Sequence, residues 1–578
     1  MQSGLDSFSC GARRSISLYI FPNSGELGAT TFCDMLRSMM TISGFTLISR
    51  VLGLVRDQIT GIIIGPCAAS DAFFSAFRFP NMGRRIFGEG AFNSAFVPIY
   101  GQTVEQEEKY EADQFASLAF SWLVAILGVS SLVIIGGMKW FMAFFVPGFL
   151  DGFGEMTSWG LEGLQNGRTW KWIGSQIVNP TGGEKFEHTV EMGRIMFCYL
   201  LCMALGAQLS GVLNTWKKFA IAAFAPVLLN VLLLLGFVWI WFNDIEQQRQ
   251  MTMVLSWCIF VAGWAQMGVL FYGVKRQGIQ IRLTMPRLTP KMRQLFSLMV
   301  PGVAAASVQQ INLLIGTQIA STHENAISYL YYADRLNQFP LGMIGIALGV
   351  SLLPTISRQV GAQDWDAARE SLGNGIKIAL LLTIPAAIAL GVIPYDLIKA
   401  TLGYGNYSDE SVVETAKVLC AFALGLPAYV LIRVLQAGFF AQKDTKRPMQ
   451  YGIVMVVVNI VLSFLLFPSM KHVGLGIATS VAGWVNVILL FLGLRGFFHV
   501  SPALLAKLAR VVGASVAMAL ILLPASHFCA DWISGAVIQR VCALGVIITG
   551  GLVVYAIASI LLKATSLAEL KSYMRRAS

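Results

Sequence analysis

AFFSAFRFPNMGRRIFGEGAFNSAFVPI, residues 72–99, reads against LYYADRLNQFPLGMIGIALGVSLLPTI, residues 330–356. Each copy has aromatic residues, then an arginine, then a proline soon after, then glycines and a second proline. A second correspondence supports the first: Lys217 and Lys218 precede Asn230 at the spacing by which Lys446 and Arg447 precede Asn459. Repetition on this scale is how transporter-like membrane bundles are built. It predicts two halves of six spans each in parallel order, with a further pair at the C-terminus.

The 578-residue chain is 56% hydrophobic and only 13% charged, with a mean hydropathy of +0.66. Soluble domains carry about 25% charge, so the composition is that of an integral membrane protein. A helical span takes about 20 apolar residues, and windows of that size give about fourteen candidates. They begin near Ile42, Ala72, Phe115, Glu191, Phe219, Met251, Gln294, Ala326, Leu372, Val412, Pro448, Val473, Lys507 and Ile538. Runs such as Pro226 to Phe242 lack the alternation of barrel strands, so the expected class is an all-α polytopic membrane protein. The expected parts are a leader over 1–34, disordered or starting ahead of a true initiator at Met35, and a first lobe over 35–280. A second lobe over 281–500 and two extra helices with a short tail over 501–578 follow.

The net charge of +11 lies in alternate short loops and so points away from nucleic acid. Lys217 and Lys218 fall in one loop, six basic residues lie between Lys275 and Arg293, and Lys443 to Arg447, Arg495 to Lys507 and Lys571 to Arg576 continue the series. Connections such as Ser321 to Asn325 and Pro468 to His472 carry few positive charges. The positive-inside rule then places both termini in the cytoplasm; the acidic loop Glu105 to Asp113 is at odds with the alternation. A glycine- and tryptophan-rich piece over about 147–190 falls on the periplasmic side, its tryptophans read as interfacial anchors or as the core of a small folded loop, the anchors being preferred. Nine scattered cysteines and five histidines, none at ligand spacing, argue for packing roles and against metal.

Charge inside the apolar windows is the functional signal, because an arginine at the bilayer centre costs about 2.5–3.5 kcal/mol even on insertion scales. Arg50, Arg56 and Asp57 lie in the first span; Asp71, Arg78, Asn81, Arg84, Arg85 and Glu89 in the second; Asp334 and Arg335 in the eighth. Asp71, Arg78 and Arg85 recur at helical spacing, which predicts one polar stripe on a helix bent at Pro80. Arg50 and Asp57 share a face and are candidates for an internal ion pair. Ser328, Tyr332 and Arg335 form a matching face in the second half. The positive surplus predicts a cavity that takes an anion, and the planar arginine fork suits a pyrophosphate. No GxxxxGK[ST] phosphate loop, HExxH helix or GxSxG elbow occurs, so an enzyme is not expected and any transport draws on a gradient or the membrane potential.

SRVLGLVRD (49–57), SDAFFSAFRFPNMGRRIFGEGAFNSAFVP (70–98), LNTWKKFAIAAFAPVLLN (213–230) and YYADRLNQFPLGMIGIALGVSLLP (331–354) closely resemble the MurJ/MviN family. These are lipid II flippases of peptidoglycan biosynthesis, within the multidrug/oligosaccharidyl-lipid/polysaccharide exporter superfamily. The resemblance runs from about Met35 to the C-terminus. It implies two six-helix lobes, with the last two helices forming a groove for a polyprenyl tail, in the bacterial inner membrane. It also implies cavity roles for Ser49, Arg50, Arg56, Asp57, Asp71, Asn81, Arg84, Arg85, Glu89, Ser328 and Arg335. On that basis Arg50, Arg56, Arg84, Arg85, Arg335, Asn81, Ser49 and Ser328 are expected to bind substrate, and Asp57, Asp71 and Glu89 to form a charge or coupling network. The implied partners are lipid II, membrane lipids and cell-wall synthases; no cofactor is expected beyond a coupled monovalent ion or the membrane potential. The rival readings are a flippase for another polyprenyl-linked saccharide, an ion-coupled multidrug exporter, and a non-transporting scaffold. An arginine-rich cavity disfavours a cationic cargo.

Overall fold

The computed structural model describes residues 24–83, 91–158, 168–498 and 502–565. Among them the chain is helical, with one isolated bridge between Leu150 and Gly182 and no strand. The first half holds α1 (Ser24–Ile63), α2 (Ala68–Gly83), α3 (Ala91–Gln106), α4 (Lys109–Gly136), α5 (Met138–Phe145), α6 (Phe153–Ser158), α7 (Arg168–Val178), α8 (Glu184–Thr215), α9 (Phe219–Phe242) and α10 (Gln248–Arg276). The second holds α11 (Pro290–Ala320), α12 (Ala326–Gly361), α13 (Trp365–Val392), α14 (Pro394–Leu402), α15 (Asp409–Ala423), α16 (Leu426–Ala441) and α17 (Lys446–Gly493). A C-terminal group of α18 (Pro502–Phe528), α19 (Ala530–Ser534) and α20 (Val537–Leu561) follows.

Nine stretches among the described residues are long and apolar enough to cross a membrane, α15 with α16 counting as one. The expected windows all begin on helices, those near Ile42, Ala72, Gln294 and Ala326 on α1, α2, α11 and α12 outside these nine stretches, and their number as membrane crossings rests on the sequence. Two windows fall within α17, which breaks at Lys471, where φ is +50° and ψ −134°, just after Pro468. The leader divides: residues 1–23 lie outside the described residues, whereas 24–34 are helical and continuous with the first span, with no proline to interrupt them.

Packing positions the site. One buried core takes side chains from both halves, among them Ile64, Phe73, Phe74 and Phe237 from the first and Tyr332, Leu402, Val412 and Leu419 from the second. It lies at the end bearing the 64–67, 321–325 and 403–408 loops. At the opposite end, where the basic loops are, the halves have separate cores. Phe96, Phe115, Leu209 and Val274 build one; Ile356, Leu372, Leu435 and Leu490 build the other. Two bodies that share a core at one end and keep separate cores at the other meet along a seam, the cleft of the molecule. Apolar burial, at about 25 cal/mol per Å², makes the shared core the main barrier to parting the closed end.

The start of α11 packs back on the first half. Met292 and Leu295 of α11 are buried in the first half's core. The preceding linker is fastened to α4: Ser117 Oγ accepts from the Arg282 amide at 3.1 Å, Ser121 Oγ from the Thr284 amide at 2.9 Å, and Trp122 Nε1 donates to the Arg287 carbonyl at 3.2 Å. In the tryptophan-rich piece the contacts of Trp172 are those of a small folded loop. Trp172 Nε1 donates to the Asp151 carbonyl at 3.0 Å and the ring meets Phe153 edge-on, so this tryptophan holds the segment to itself. Trp159 lies outside the described residues. A smaller core joins α18 and α20 to α13 and α14 through Met518, Leu522, Ile547 and Ile393. Leu520, Leu523, Val541 and Leu552 of this C-terminal pair remain exposed.

Candidate functional site

α1 and α12 face each other across the cleft, and one carboxylate holds them together. Asp57 Oδ1 accepts from Arg56 Nη2 at 2.6 Å and from the Tyr331 hydroxyl at 2.9 Å, while its Oδ2 lies 3.0 Å from Arg335 Nε. The Tyr331 hydroxyl accepts in turn from Arg335 Nη2 at 3.0 Å. Arg56 also donates to Asn230 Oδ1 at 2.9 Å, and Asn230 Nδ2 donates to the Ser49 carbonyl at 2.9 Å and its Oγ at 3.3 Å. The network thereby joins three helices. Phe74 stacks on Tyr331 with ring centroids 3.9 Å apart, closing it off toward the shared core.

One carboxylate between two guanidiniums leaves a unit of positive charge. Arg335 is 29% exposed at its side chain and forms the wet edge of the cluster, while Arg56 at 11% is largely enclosed. Arg50 and Arg433 add to the surplus: both are exposed, and neither has an ionic or hydrogen-bonding partner among the described residues. They lie across α12 where it lacks side chains. A Cβ at Gly342 would stand 2.7 Å from Arg50 Nη1, and one at Gly345 would stand 3.0 Å from Arg433 Nη1. Two open guanidiniums a turn apart suit an anion with several oxygens.

The closed end has its own polar fastening. Asp71 is fully buried; its Oδ1 accepts from the Ser328 amide at 2.9 Å and hydroxyl at 2.6 Å, and its Oδ2 pairs with Lys185 Nζ at 2.9 Å. The 403–407 loop docks on the end of α1, where Asn406 donates to the Ile62 carbonyl at 3.0 Å through its amide and to the Ile63 carbonyl at 2.6 Å through its side chain. Burial pushes the Tyr407 phenol above its ordinary range, so it stays a neutral hydroxyl shared with Thr415 at 2.5 Å.

Ser49, Arg56, Asp57 and Arg335 are thus brought together as the sequence predicts. Arg50 lies in the cleft but is not paired with Asp57, because Arg56 and Arg335 occupy that carboxylate. Ser328 does not line the cleft in this conformation: it is fully buried against Asp71, two turns from Arg335. Tyr332 is likewise in the core, and its neighbour Tyr331 takes the polar position. The expected stripe on the second span divides, since Asp71 belongs to the closed end and Arg78 donates to the Leu313 carbonyl and Thr317 hydroxyl of α11. Asn81 is half-buried near the end of α2; Arg84, Arg85 and Glu89 lie outside the described residues. Arg433, Tyr331 and Lys185 were not singled out from the sequence, and Asn230 was singled out only as a marker of the repeat. Arg433 had a usable signal, a lone charge in the apolar run 426–441. No group of His, Cys, Asp or Glu suited to a metal ion occurs among the described residues.

The sequence model of the family described as "Lipid II flippase MurJ" matches residues 62–161 and 169–543. A protein of Rhizobium tropici named "Probable lipid II flippase MurJ" is 34% identical over 552 residues, 94% of this chain and 97% of its own length. "Lipid II flippase MurJ" of Burkholderia cenocepacia is 34% identical over 510 residues, 86% of this chain and 91% of its own. Among solved structures, "Lipid II flippase MurJ, inward closed conformation" superposes with a TM-score of 0.71 at 22% identity, covering 90% of this chain and 98% of that one. An inward-facing multidrug resistance MATE family transporter of the MOP superfamily gives 0.62 at 14% identity, covering 79% and 97%. The two structures speak for the fold alone; with the sequence matches, they establish that this chain belongs to the lipid II flippase MurJ family.

Proposed function

We propose that this protein is a lipid II flippase of the bacterial inner membrane. It carries undecaprenyl-pyrophosphate-linked disaccharide-pentapeptide from the cytoplasmic to the periplasmic leaflet by alternating access. The observation that carries this reading is the surplus of guanidiniums over carboxylates where α1 meets α12, between halves that share a core at one end and keep separate cores at the end with the basic loops. With basic loops inside, the open end faces the cytoplasm, both termini are cytoplasmic, and the conformation is the one that loads. Arg50, Arg335 and Arg433 contact the pyrophosphate, while Asp57 holds Arg56 and Arg335 in register. Arg84, Arg85, Asn81 and Ser49 complete the headgroup site in this reading, with Glu89 in the charge network. The polyprenyl tail stays in lipid along the exposed face of α18 and α20, and the halves rock about the cleft. An ion gradient or the membrane potential drives the cycle, and cell-wall synthases take the product.

A cationic cargo of the multidrug kind is disfavoured by the same surplus charge. The test is to deplete the protein in its host and add an enzyme that cleaves lipid-linked precursor at the outer leaflet. Precursor that accumulates but cannot be cleaved supports the reading. Precursor that stays cleavable while another lipid-linked glycan accumulates inside assigns a different cargo.

A further inference from the structure

Arg540, in the first turn of α20, is 8% exposed and has no carboxylate partner among the described residues. Its donors go to backbone carbonyls instead: Nε to Gly535 at 2.8 Å, Nη2 to Ser534 at 3.3 Å, and Nη1 to Gly403 at 2.6 Å and Lys399 at 3.2 Å. The guanidinium carbon stands 3.9 Å from the centre of the Tyr404 ring. A buried cation without a counter-charge is costly, so carbonyls and a ring face must compensate it here. Lys399 and Gly403 lie at the C-terminal end of α14, where the Lys399 carbonyl also accepts from the Gly403 amide at 3.0 Å and the helix dipole favours a cation.

The loop gripped by Arg540 is the one that docks on the end of α1 beside the shared core. Gly405 follows Tyr404 with φ +53°, and a Cβ there would stand 2.4 Å from the Ile62 carbonyl oxygen, so the loop must sit on α1 to within tenths of an ångström. Asn406 then meets the last carbonyls of α1, the helix that carries Arg56 and Asp57. A continuous chain of contacts runs from α20 through Arg540, Tyr404 and Asn406 to α1.

We propose that Arg540 is a positioning residue for the closed end. It fixes the 403–407 loop so that Asn406 caps α1, and thereby ties the C-terminal helix pair to the gate. The proposal rests on the alternating-access reading above and is independent of the cargo.

Cys67 reports on it, since it lies partly buried in the 64–67 loop against the shared core. The full chain in nanodiscs, with both faces accessible, is treated with a membrane-impermeant maleimide, and Cys67 modification is followed by peptide mass. Arg540→Met is expected to speed modification about tenfold or more, its lost hydrogen bonds being charge-assisted, and Asn406→Ala about fivefold, its lost bond being neutral. The double variant is expected to be no faster than the faster single, because both act through one contact. A rate in Arg540→Met equal to the parent overturns the proposal, and so does a double variant in which the two effects multiply. Should Arg540→Met fail to accumulate, Tyr404→Leu removes the ring beneath the guanidinium and is read by the same criteria. Cargo is assayed separately by cleavage of lipid II at the outer leaflet, so a wrong cargo leaves the Cys67 result standing.

Discussion

Asp57 Oδ2 and Arg335 Nε, from opposite halves of the chain, lie 3.0 Å apart at the base of the cleft. Asp57 is also the partner of Arg56 at 2.6 Å, so the two cations depend on one anion. Removing the anion and removing one cation should therefore differ. Asp57→Asn leaves two neighbouring guanidiniums without compensation and should cost about 3 kcal/mol of stability, in the range found when one member of a buried pair is lost. Arg335→Ala leaves the Arg56–Asp57 pair intact and should fold near normally while abolishing translocation. Thermal unfolding of the purified variants, set beside complementation of a depleted host, tests the contrast; equal loss of Arg335→Ala protein from the membrane would refute it.

Arg433 and Arg50 are the exposed, unpartnered cations of the cleft. Each should bind the anionic headgroup without contributing to the fold, so Arg433→Ala should leave protein levels unchanged and weaken lipid II binding by about tenfold, the order expected for a charge-assisted hydrogen bond. Arg433→Lys should recover only part of this, because an ammonium cannot make the paired contact. Binding of lipid II to the purified variants, measured at two salt concentrations, checks both statements.

The membrane fold was legible because long apolar runs without alternation can only be helices. The central cluster was legible for a related reason: charge in an apolar window persists only with a partner or in water. Depth along a helix was not legible. Ser328 and Arg335 share a face, but a separation of seven residues is about 10 Å of axial rise, enough to place one in the closed end and the other in the cleft. Lys185 was hidden because it begins α8 beside an irregular segment, and its partner Asp71 is distant in sequence. The break at Lys471 followed from Pro468 only in part, since a proline bends as many helices as it ends.

Gly65 and Gly405 meet the opposing chain at the closed end with positive φ. A Cβ at Gly65, φ +70°, would stand 2.3 Å from the Asn406 carbonyl oxygen, and one at Gly405 would stand 2.4 Å from that of Ile62. An alanine at either position must pay for a left-handed backbone, about 1–2 kcal/mol, and also push the loop off α1. Both alanine variants should therefore favour a parted closed end, seen as faster maleimide modification of Cys67. Alanine at Gly44, where nothing lies within 4 Å, should leave that rate unchanged. A slow rate in both gate variants would show that the loop does not control opening.

Ser328 was expected to touch substrate, and its position gives a different consequence. Its amide and hydroxyl both donate to Asp71 Oδ1, whose other oxygen pairs with Lys185, so the three residues form a neutral fastening between α12, α2 and α8. Ser328→Ala keeps the amide contact and loses the hydroxyl one, at a cost of about 1.5–3 kcal/mol for a hydrogen bond to a charged group. Asp71→Asn should cost more, because Lys185 is then left beside a buried site without its counter-charge. Neither change touches the guanidiniums of the cleft, so affinity for lipid II in the loading conformation should be preserved. Spin labels on α2 and α12 at the closed end should report a larger outward-open fraction for both, in the order Asp71→Asn above Ser328→Ala. If Ser328→Ala instead lost lipid II affinity with an unchanged distance distribution, Ser328 would belong to the binding site after all.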